Sequence, residues 1–167
     1  MIGTTLGLNS NGGIKGLRFD VTDSLEYEGA TVAVCSVRLW HRTYSDVPDE
    51  DLEAALTASS VLVSIPSLSA FRDAVEVWLA LPLPDQAVTP LAASVSLRPE
   101  WEPSRLDIDI APRADTIAER HPVATVRYGF GALRGDLAMV VDQSCWRRFC
   151  DQSGFLITNA GSHASTS

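Results

Sequence analysis

Lysine is almost absent from this 167-residue chain, in which Lys15 is the single lysine. The chain has 13 basic residues and 21 acidic residues. The formal net charge at pH 7 is −8. Because phosphate binding needs a basic footprint, we expect no nucleic acid as a direct partner, and no acidic membrane surface. Such a chain would instead steer a basic protein or a cationic ligand toward itself.

Cysteine and long apolar runs are also scarce. The three cysteines are Cys35, Cys145 and Cys150, and an odd number argues against a disulfide framework and for reduced thiols. The apolar runs are far shorter than the roughly 20 residues of a membrane span. The first residues lack the apolar core of a signal peptide. The expected location is therefore the cytoplasm.

Familiar catalytic and cofactor motifs are missing as well. The chain contains no G-x-S-x-G, P-loop, G-x-G-x-x-G or H-E-x-x-H pattern. The spacing of Cys145 and Cys150 does not resemble a zinc site, and His41 and His121 have no local signature of a catalytic pair. We therefore predict no catalytic residue, no metal and no cofactor.

Alternating apolar and polar residues dominate the middle of the chain. In "RLDIDIA", Leu106, Ile108 and Ile110 share one side, and Asp107 and Asp109 lie on the other. Simple alternation explains this Asp-x-Asp pattern better than a metal site does. The same period recurs in "LRFDV", "ATVAVCSVRLWHRTY", "SVLVSI", "LAASVSL", "VATVRYGF" and "DLAMVV". It predicts a mostly antiparallel sheet of five to seven strands.

Two segments change to a helical period. "SLSAFRDAVEVWLALP" predicts a helix over 68–81, capped by Ser67 or Ser69. Its expected buried stripe is Leu68, Phe71, Val75, Trp78 and Leu79. "DQSCWRRFCDQSG" predicts a second helix, capped by Asp142 and ended by Gly154. The expected fold is a single α+β domain over residues 17–156, with two main helices packed on the sheet. Residues 1–16 would be flexible and residues 157–167 a disordered tail.

The stretch "SDVPDEDLE" concentrates like charge at residues 45–53. One interpretation is a short helix around 48–57, with Pro48 in its first turn, acidic residues at its positive end, and Leu52 and Leu56 facing the core. The other interpretation is a face that meets a basic partner. Its predicted contact residues are Asp46, Asp49, Glu50, Asp51 and Glu53.

A second predicted contact region is "RPEWEPSR", where Glu100 and Glu102 flank Trp101 in a connection between strands. A tryptophan at such a position either folds back on the core or stands out as a contact residue. Aromatic side chains of the second kind often anchor interfaces. Glu100, Trp101 and Glu102 therefore join the predicted partner-binding residues.

The order of these segments resembles a known group of proteins. "LSAFRDAVEVWLA", "SLRPEWEPSRLDIDIA", "VATVRYGFGALRGDLAMVVDQ" and "WRRFCDQ" follow one another as in the WapI-type immunity-like small proteins of bacterial polymorphic-toxin loci. The resemblance implies a non-catalytic inhibitor that occludes a cognate toxin, consistent with an acidic protein that binds a basic partner. A small-ligand-binding protein or enzyme, with a pocket between the sheet and the Trp78 helix, remains the alternative, and a structural or assembly subunit is also open.

Overall fold

A computed structural model describes residues 3–44, 52–86, 88–89, 91, 95–111 and 122–164. Within these ranges the chain forms eight strands and three helices. They are β1 (Thr4–Asn9), β2 (Lys15–Tyr27), β3 (Ala30–Thr43), β4 (Leu52–Ser64), α1 (Ile65–Leu79), α2 (Leu83–Gln86), β5 (Val95–Ser96), β6 (Arg105–Ala111), β7 (Val123–Phe130), β8 (Leu133–Val140) and α3 (Gln143–Ala164).

The described strands form two antiparallel sheets of four strands each. The N-terminal sheet has the order β1-β2-β3-β4 and the C-terminal sheet the order β5-β6-β7-β8. Helix α1 directly follows the first sheet, and α3 follows the second. The predicted α+β class is confirmed. The prediction of one sheet with five to seven strands is not matched, because alternation shows that a strand buries one face but not which strands pair.

Side chains from both sheets and from α1 and α3 share one apolar core. Phe71 on α1 meets Trp146 and Phe149 on α3 edge to face, with ring centroids 6.3 and 5.8 Å apart. This aromatic contact joins the two helices at the centre of the molecule.

Helix α1 agrees with its predicted buried stripe but not with its predicted ends. Phe71, Val75 and Trp78 are buried, whereas Leu79 is only half-buried. The helix begins at Ile65, and Ser64 supplies the N-cap by accepting a hydrogen bond from Ser67 N at 3.3 Å. Pro66 lies in the first turn, where its missing N–H costs no hydrogen bond.

The first sixteen residues differ from the predicted flexible segment. Thr4–Asn9 form strand β1, which pairs with β2 so that Leu6 lies opposite Phe19. Leu6 and Leu8 are only 1% and 0% exposed. Glycine and asparagine around these two leucines hide the alternation, yet burial of both leucines holds the strand on the sheet.

Helix α3 also extends beyond its predicted end. Asp142 caps it as expected, since its Oδ1 accepts a hydrogen bond from Cys145 N at 2.8 Å. The predicted stop at Gly154 is wrong, because α3 continues to Ala164, through most of the expected disordered tail. A glycine inside a helix costs about 1 kcal/mol, and burial of Leu156 and Ala160 beyond it offsets that cost.

The structure describes only the end of the acidic stretch, Leu52 and Glu53. Residues 45–51, including Asp46, Asp49, Glu50 and Asp51, lie outside the described residues. From Leu52 onward the chain forms β4, so the helix predicted around 48–57 is wrong where the structure describes it. Leu52 was expected to face the core but is 68% exposed, and Leu56 is half-buried opposite Leu39. Pairing with β3 overrides the local helix signals.

Candidate functional site

An open groove of about 330 Å³ lies between the outer face of the N-terminal sheet and helix α3. We call it the arginine groove. It is lined by Thr5, Gly7, Asn9, Arg18, Arg38, Trp40, Arg42, Cys145, Arg148 and Gln152. The lining thus combines four arginines and a tryptophan with several neutral polar groups, and none of these lining residues is acidic.

Strand and helix periods together bring these residues to one place. On β3, Val37 and Leu39 are buried, so the alternate residues Arg38, Trp40 and Arg42 point to the outer face. On α3, Cys145, Arg148 and Gln152 follow the spacing of one helix face. Gln152 fixes this face to β1, because its Oε1 accepts a hydrogen bond from Gly7 N at 3.0 Å.

Trp40 lies flat on the strand beside it because its cross-strand partner is Gly16. A Cβ added at Gly16 would lie 2.1 Å from Cζ2 of Trp40. The indole Nε1 donates to the carbonyl of Gly13 at 3.4 Å, and the Arg38 guanidinium lies 5.9 Å from the ring centroid. These contacts fix the position of the tryptophan at the edge of the groove.

Two carboxylates outside the lining neutralise part of its charge. Asp20 pairs with Arg18 at 2.8 Å, and Glu53 pairs with both Arg38 and Arg42 at 2.5 Å. The hydrogen bond from Arg42 holds the pKa of the Glu53 carboxyl below its usual value, so Glu53 stays ionised. Among the described residues, the four guanidinium groups of the lining meet the carboxylates of Asp20 and Glu53, and the charge of Asp142 acts on Cys145 beside them, which leaves a small excess of positive charge.

The one thiol in the groove is not activated. Burial, and next the charge of Asp142, raises the pKa of Cys145, so the thiol stays protonated near neutral pH. Burial likewise raises the pKa of Cys35 to about 12 and that of Cys150 to about 11. All three cysteines are reduced. The groove is therefore suited to binding rather than to attack by a thiolate.

A second surface lies at the β2–β3 turn, where Tyr27 meets Trp101. Their ring centroids are 4.4 Å apart, and the two residues remain 45% and 43% exposed. Acidic residues adjoin both rings along the chain. We call this surface the acidic corner, and it consists of Glu26, Tyr27, Glu28, Glu100, Trp101 and Glu102.

The acidic corner includes three of the predicted partner-binding residues. Trp101 packs on Tyr27 and stays half-exposed, and Glu100 is exposed. Glu102 is half-buried, and its Oε1 accepts a hydrogen bond from Ser104 N at 3.3 Å. The loop is held by Arg98, whose Nη1 donates to the carbonyls of Pro99, Glu100 and Glu102.

The other predicted residues are not brought to this corner. Glu53 lies on β4 beside the arginine groove, in its two ion pairs. Asp46, Asp49, Glu50 and Asp51 lie outside the described residues, as does His121. Asp107 and Asp109 on β6 pair with Arg105 and Arg127.

Two further features concern metal binding and membrane insertion in the described ranges. There, no group of three or more histidine, cysteine, aspartate or glutamate side chains could hold a metal ion. No helix in those ranges has the length and apolar character needed to cross a membrane.

The sequence interpretation missed the arginine groove. Its signal was present in Arg38-x-Trp40-x-Arg42, three large residues on one face of a strand. The net charge of −8 gave no indication of it, because a net charge does not show where basic residues cluster.

Comparisons with known proteins add little. No family model and no curated protein matches the chain. Among solved structures, a plant transcriptional regulator, PBF-2, is similar with a TM-score of 0.46 and 9% identity, over 96% of this chain and 84% of that one. This likeness is too weak to bear on function.

Proposed function

We propose that this chain is a non-catalytic binding protein that holds a basic protein segment at the acidic corner. The observation that carries the proposal is the exposed pair of Tyr27 and Trp101, with ring centroids 4.4 Å apart. Aromatic side chains of low flexibility are the residues that most often anchor protein interfaces. Arg98 restrains the loop that bears Trp101. Because the loop is already ordered, binding costs little further conformational entropy.

The charge around this pair favours a cationic partner. Glu26, Glu28 and Glu100 are exposed and are the sequence neighbours of the two rings, and the whole chain carries a net charge of −8. Complementary charge raises association rates and disfavours acidic competitors. An immunity-type inhibitor that occludes a basic toxin in the cytoplasm is the form of this proposal that the sequence resemblance favours.

The absence of catalysis in this proposal is supported by the thiols. The pKa of each of Cys35, Cys145 and Cys150 is raised, which removes the usual cysteine nucleophile. Binding through a preformed surface needs no such group.

A second candidate function is ligand binding between sheet and helix, and the arginine groove favours it. The groove lies against α3, whereas the sequence interpretation placed such a pocket against the Trp78 helix, α1. The two candidates use different surfaces and can be tested separately.

Affinity capture followed by kinetics tests the first candidate. The tagged wild-type chain captures a partner from its native host, and that partner is then purified and shown to be basic. We expect Trp101→Ala to weaken binding by about thirtyfold or more, the loss typical of a central anchor. Phe155→Ala is the matched control, because Phe155 is an aromatic residue on α3 that is 61% exposed and belongs to none of the predicted partner-binding regions.

Charge variants separate steering from anchoring in the same assay. Glu100→Gln should slow association at low salt and leave dissociation nearly unchanged. A triple change of Asp49, Glu50 and Asp51 to Asn, Gln and Asn tests the predicted acidic stretch in the same way. If Trp101→Ala binds the partner as tightly as Phe155→Ala does, the acidic corner is not the interface and the proposal fails.

A further inference from the structure

We propose that the arginine groove binds a small phosphate-bearing ligand with a planar ring, the chemistry of a nucleoside monophosphate. The site is independent of the acidic corner. Its parts are Arg18, Arg38, Arg42 and Arg148 for the phosphate, and Trp40 for the ring.

The arginines supply the anion-binding half of the site. Three of them come from β2 and β3 of the N-terminal sheet, and Arg148 comes from α3. Guanidinium groups present planar pairs of N–H donors that match phosphate oxygens. Bringing four such groups to one groove costs free energy through repulsion, and within the described ranges the carboxylates paired with them are those of Asp20 and Glu53. A bound dianion would offset the repulsion among these guanidinium groups.

Arg148 is the most available of these donors. It is exposed on α3, and the described structure gives it no hydrogen bond or ion pair. Arg18 is half-exposed beside Asp20, so it can reach a ligand without leaving its carboxylate. A phosphate held between these two side chains would join the sheet to the helix.

Trp40 supplies a preformed surface for a planar ring. One side of the indole covers Gly16, and the Nε1 hydrogen bond to Gly13 fixes its orientation. The Arg38 guanidinium lies over the ring, 5.9 Å from its centroid, so a ligand ring would share this surface with a cation that can contact the phosphate. An aromatic ring of a ligand placed on such a fixed indole gains stacking contact without first ordering the side chain. Gln152 uses its Oε1 on Gly7, which leaves its NH₂ group to donate to a ligand.

Size and charge favour a small ligand over a polyanion. A volume of about 330 Å³ lies at the lower end of small-molecule sites. A nucleic acid strand would continue past the groove onto a chain whose net charge is −8, where counterion release gives no gain. The local positive charge thus suits a compact anion.

Calorimetric titration of the full chain tests this site with defined probes. Adenosine 5′-monophosphate, adenosine and inorganic phosphate are titrated separately. We expect the monophosphate to bind with a Kd below about 1 mM, and more tightly than adenosine or phosphate alone. Trp40→Leu should weaken the binding of the monophosphate and leave the affinity for inorganic phosphate unchanged, because only the contact with the ring is lost.

Neighbouring arginines on α3 provide a matched pair of variants. Arg148→Gln should lower the affinity for the monophosphate about tenfold, which is the usual effect of losing a hydrogen bond to a charged group. Arg147→Gln removes the same charge from the same helix, but Arg147 lines a different surface beside Glu76 and Asp151. It should leave the affinity unchanged. Both side chains are exposed, and circular dichroism verifies that both variants fold. Arg18→Gln gives a second test on a different element.

Three results would overturn the proposal. The first is a failure of the monophosphate to bind the wild-type chain at millimolar concentration. The second is equal weakening by Arg147→Gln and Arg148→Gln, which would mean unspecific attraction to the helix surface. The third is binding of a short single-stranded oligonucleotide at least a hundredfold tighter than the monophosphate, which would make the ligand an extended polyanion.

Discussion

Replacing Gly16 by alanine is expected to push the Trp40 side chain off the N-terminal sheet. The new Cβ would lie 2.1, 2.3 and 2.7 Å from Cζ2, Cη2 and Cε2 of Trp40. Carbon atoms in favourable contact are about 3.5–4.0 Å apart, so the indole must move by more than about 1 Å. That movement weakens the hydrogen bond from Nε1 to the carbonyl of Gly13 and exposes the ring to water.

The cost follows from two opposing effects. Overfilling a packed contact typically costs about 1–3 kcal/mol, whereas removing a glycine from a strand lowers the entropy lost on folding by about 0.5–1 kcal/mol. We therefore expect Gly16→Ala to lower the free energy of unfolding by about 1–2 kcal/mol. Gly7→Ala is the matched control on the same sheet, because the nearest atom to its added Cβ is 3.9 Å away. Its effect should be within about 0.5 kcal/mol.

Urea unfolding of a double-mutant cycle measures the effect. In a Trp40→Leu background the indole is gone, so Gly16→Ala should cost little, and the coupling energy should be about 1–2 kcal/mol. The tryptophan fluorescence of Gly16→Ala should also shift to longer wavelength, because the indole is more exposed to water. The affinity of this variant for adenosine monophosphate should fall. An equal cost of Gly16→Ala with and without Trp40 would refute the packing of the indole on Gly16.

Further predictions concern the core, the thiols and one ion pair. In urea unfolding, Phe71→Ala should lower the free energy of unfolding by about 3–5 kcal/mol, because a buried aromatic side chain between two helices is lost. Val77 is 70% exposed, so Val77→Ala should change the free energy of unfolding by less than about 0.5 kcal/mol. Since burial raises the pKa of Cys35 to about 12 and that of Cys150 to about 11, both thiols should resist iodoacetamide at about pH 8 until urea is added, and rapid native labelling of either would contradict their burial. The hydrogen bond from Arg42 is the main reason why the pKa of Glu53 in the folded protein is below its ordinary value of 4.5. The ionised carboxylate therefore contributes to stability above pH 4.5, and this contribution is lost as the pH falls through the lower pKa of the folded state. Urea unfolding should therefore show a steeper loss of stability for the wild type than for Glu53→Gln between about pH 5 and pH 3, and parallel profiles would contradict the ion pair.

The helix α1 shows what the sequence can predict well. Apolar residues at spacings of three and four give a continuous stripe, and the structure buries Phe71, Val75 and Trp78 as expected. Such a stripe must find an apolar partner, so its burial depends little on which strands lie beneath it. The α+β class was predictable for the same reason, because strand and helix periods are local properties of the chain.

The pairing of strands depends on contacts between distant residues and could not be predicted in this way. Local signals at Pro48 and the acidic residues favoured a helix start, but β4 gains a long antiparallel pairing with β3 from Leu52 to Ser64. At the other end of the chain, Gly154 favoured a helix end. Burial of Leu156 and Ala160 stabilises the continued helix. In both segments tertiary contacts outweigh local preferences.

The arginine groove combines both situations. Alternation already places Arg38, Trp40 and Arg42 on one face of β3, and the sequence contains that information. Arg148 joins them only because α3 packs across β1, where Gln152 binds Gly7. No local pattern encodes that crossing, so the sequence could predict half of the groove and not its completion.

The opposite charges of the groove and the chain need not conflict. At physiological ionic strength the field of an exposed charge is screened over about 8 Å, so a bound ligand responds to the nearest groups rather than to the net charge. Arg18 of the groove and Tyr27 of the acidic corner lie on the same strand, β2. Because a strand rises by about 3.3 Å per residue, the two residues are roughly 30 Å apart. This distance exceeds several screening lengths. Each surface can therefore attract a ligand of opposite charge without cancelling the other, and the net charge of −8 constrains polymeric partners far more than it constrains a small anion.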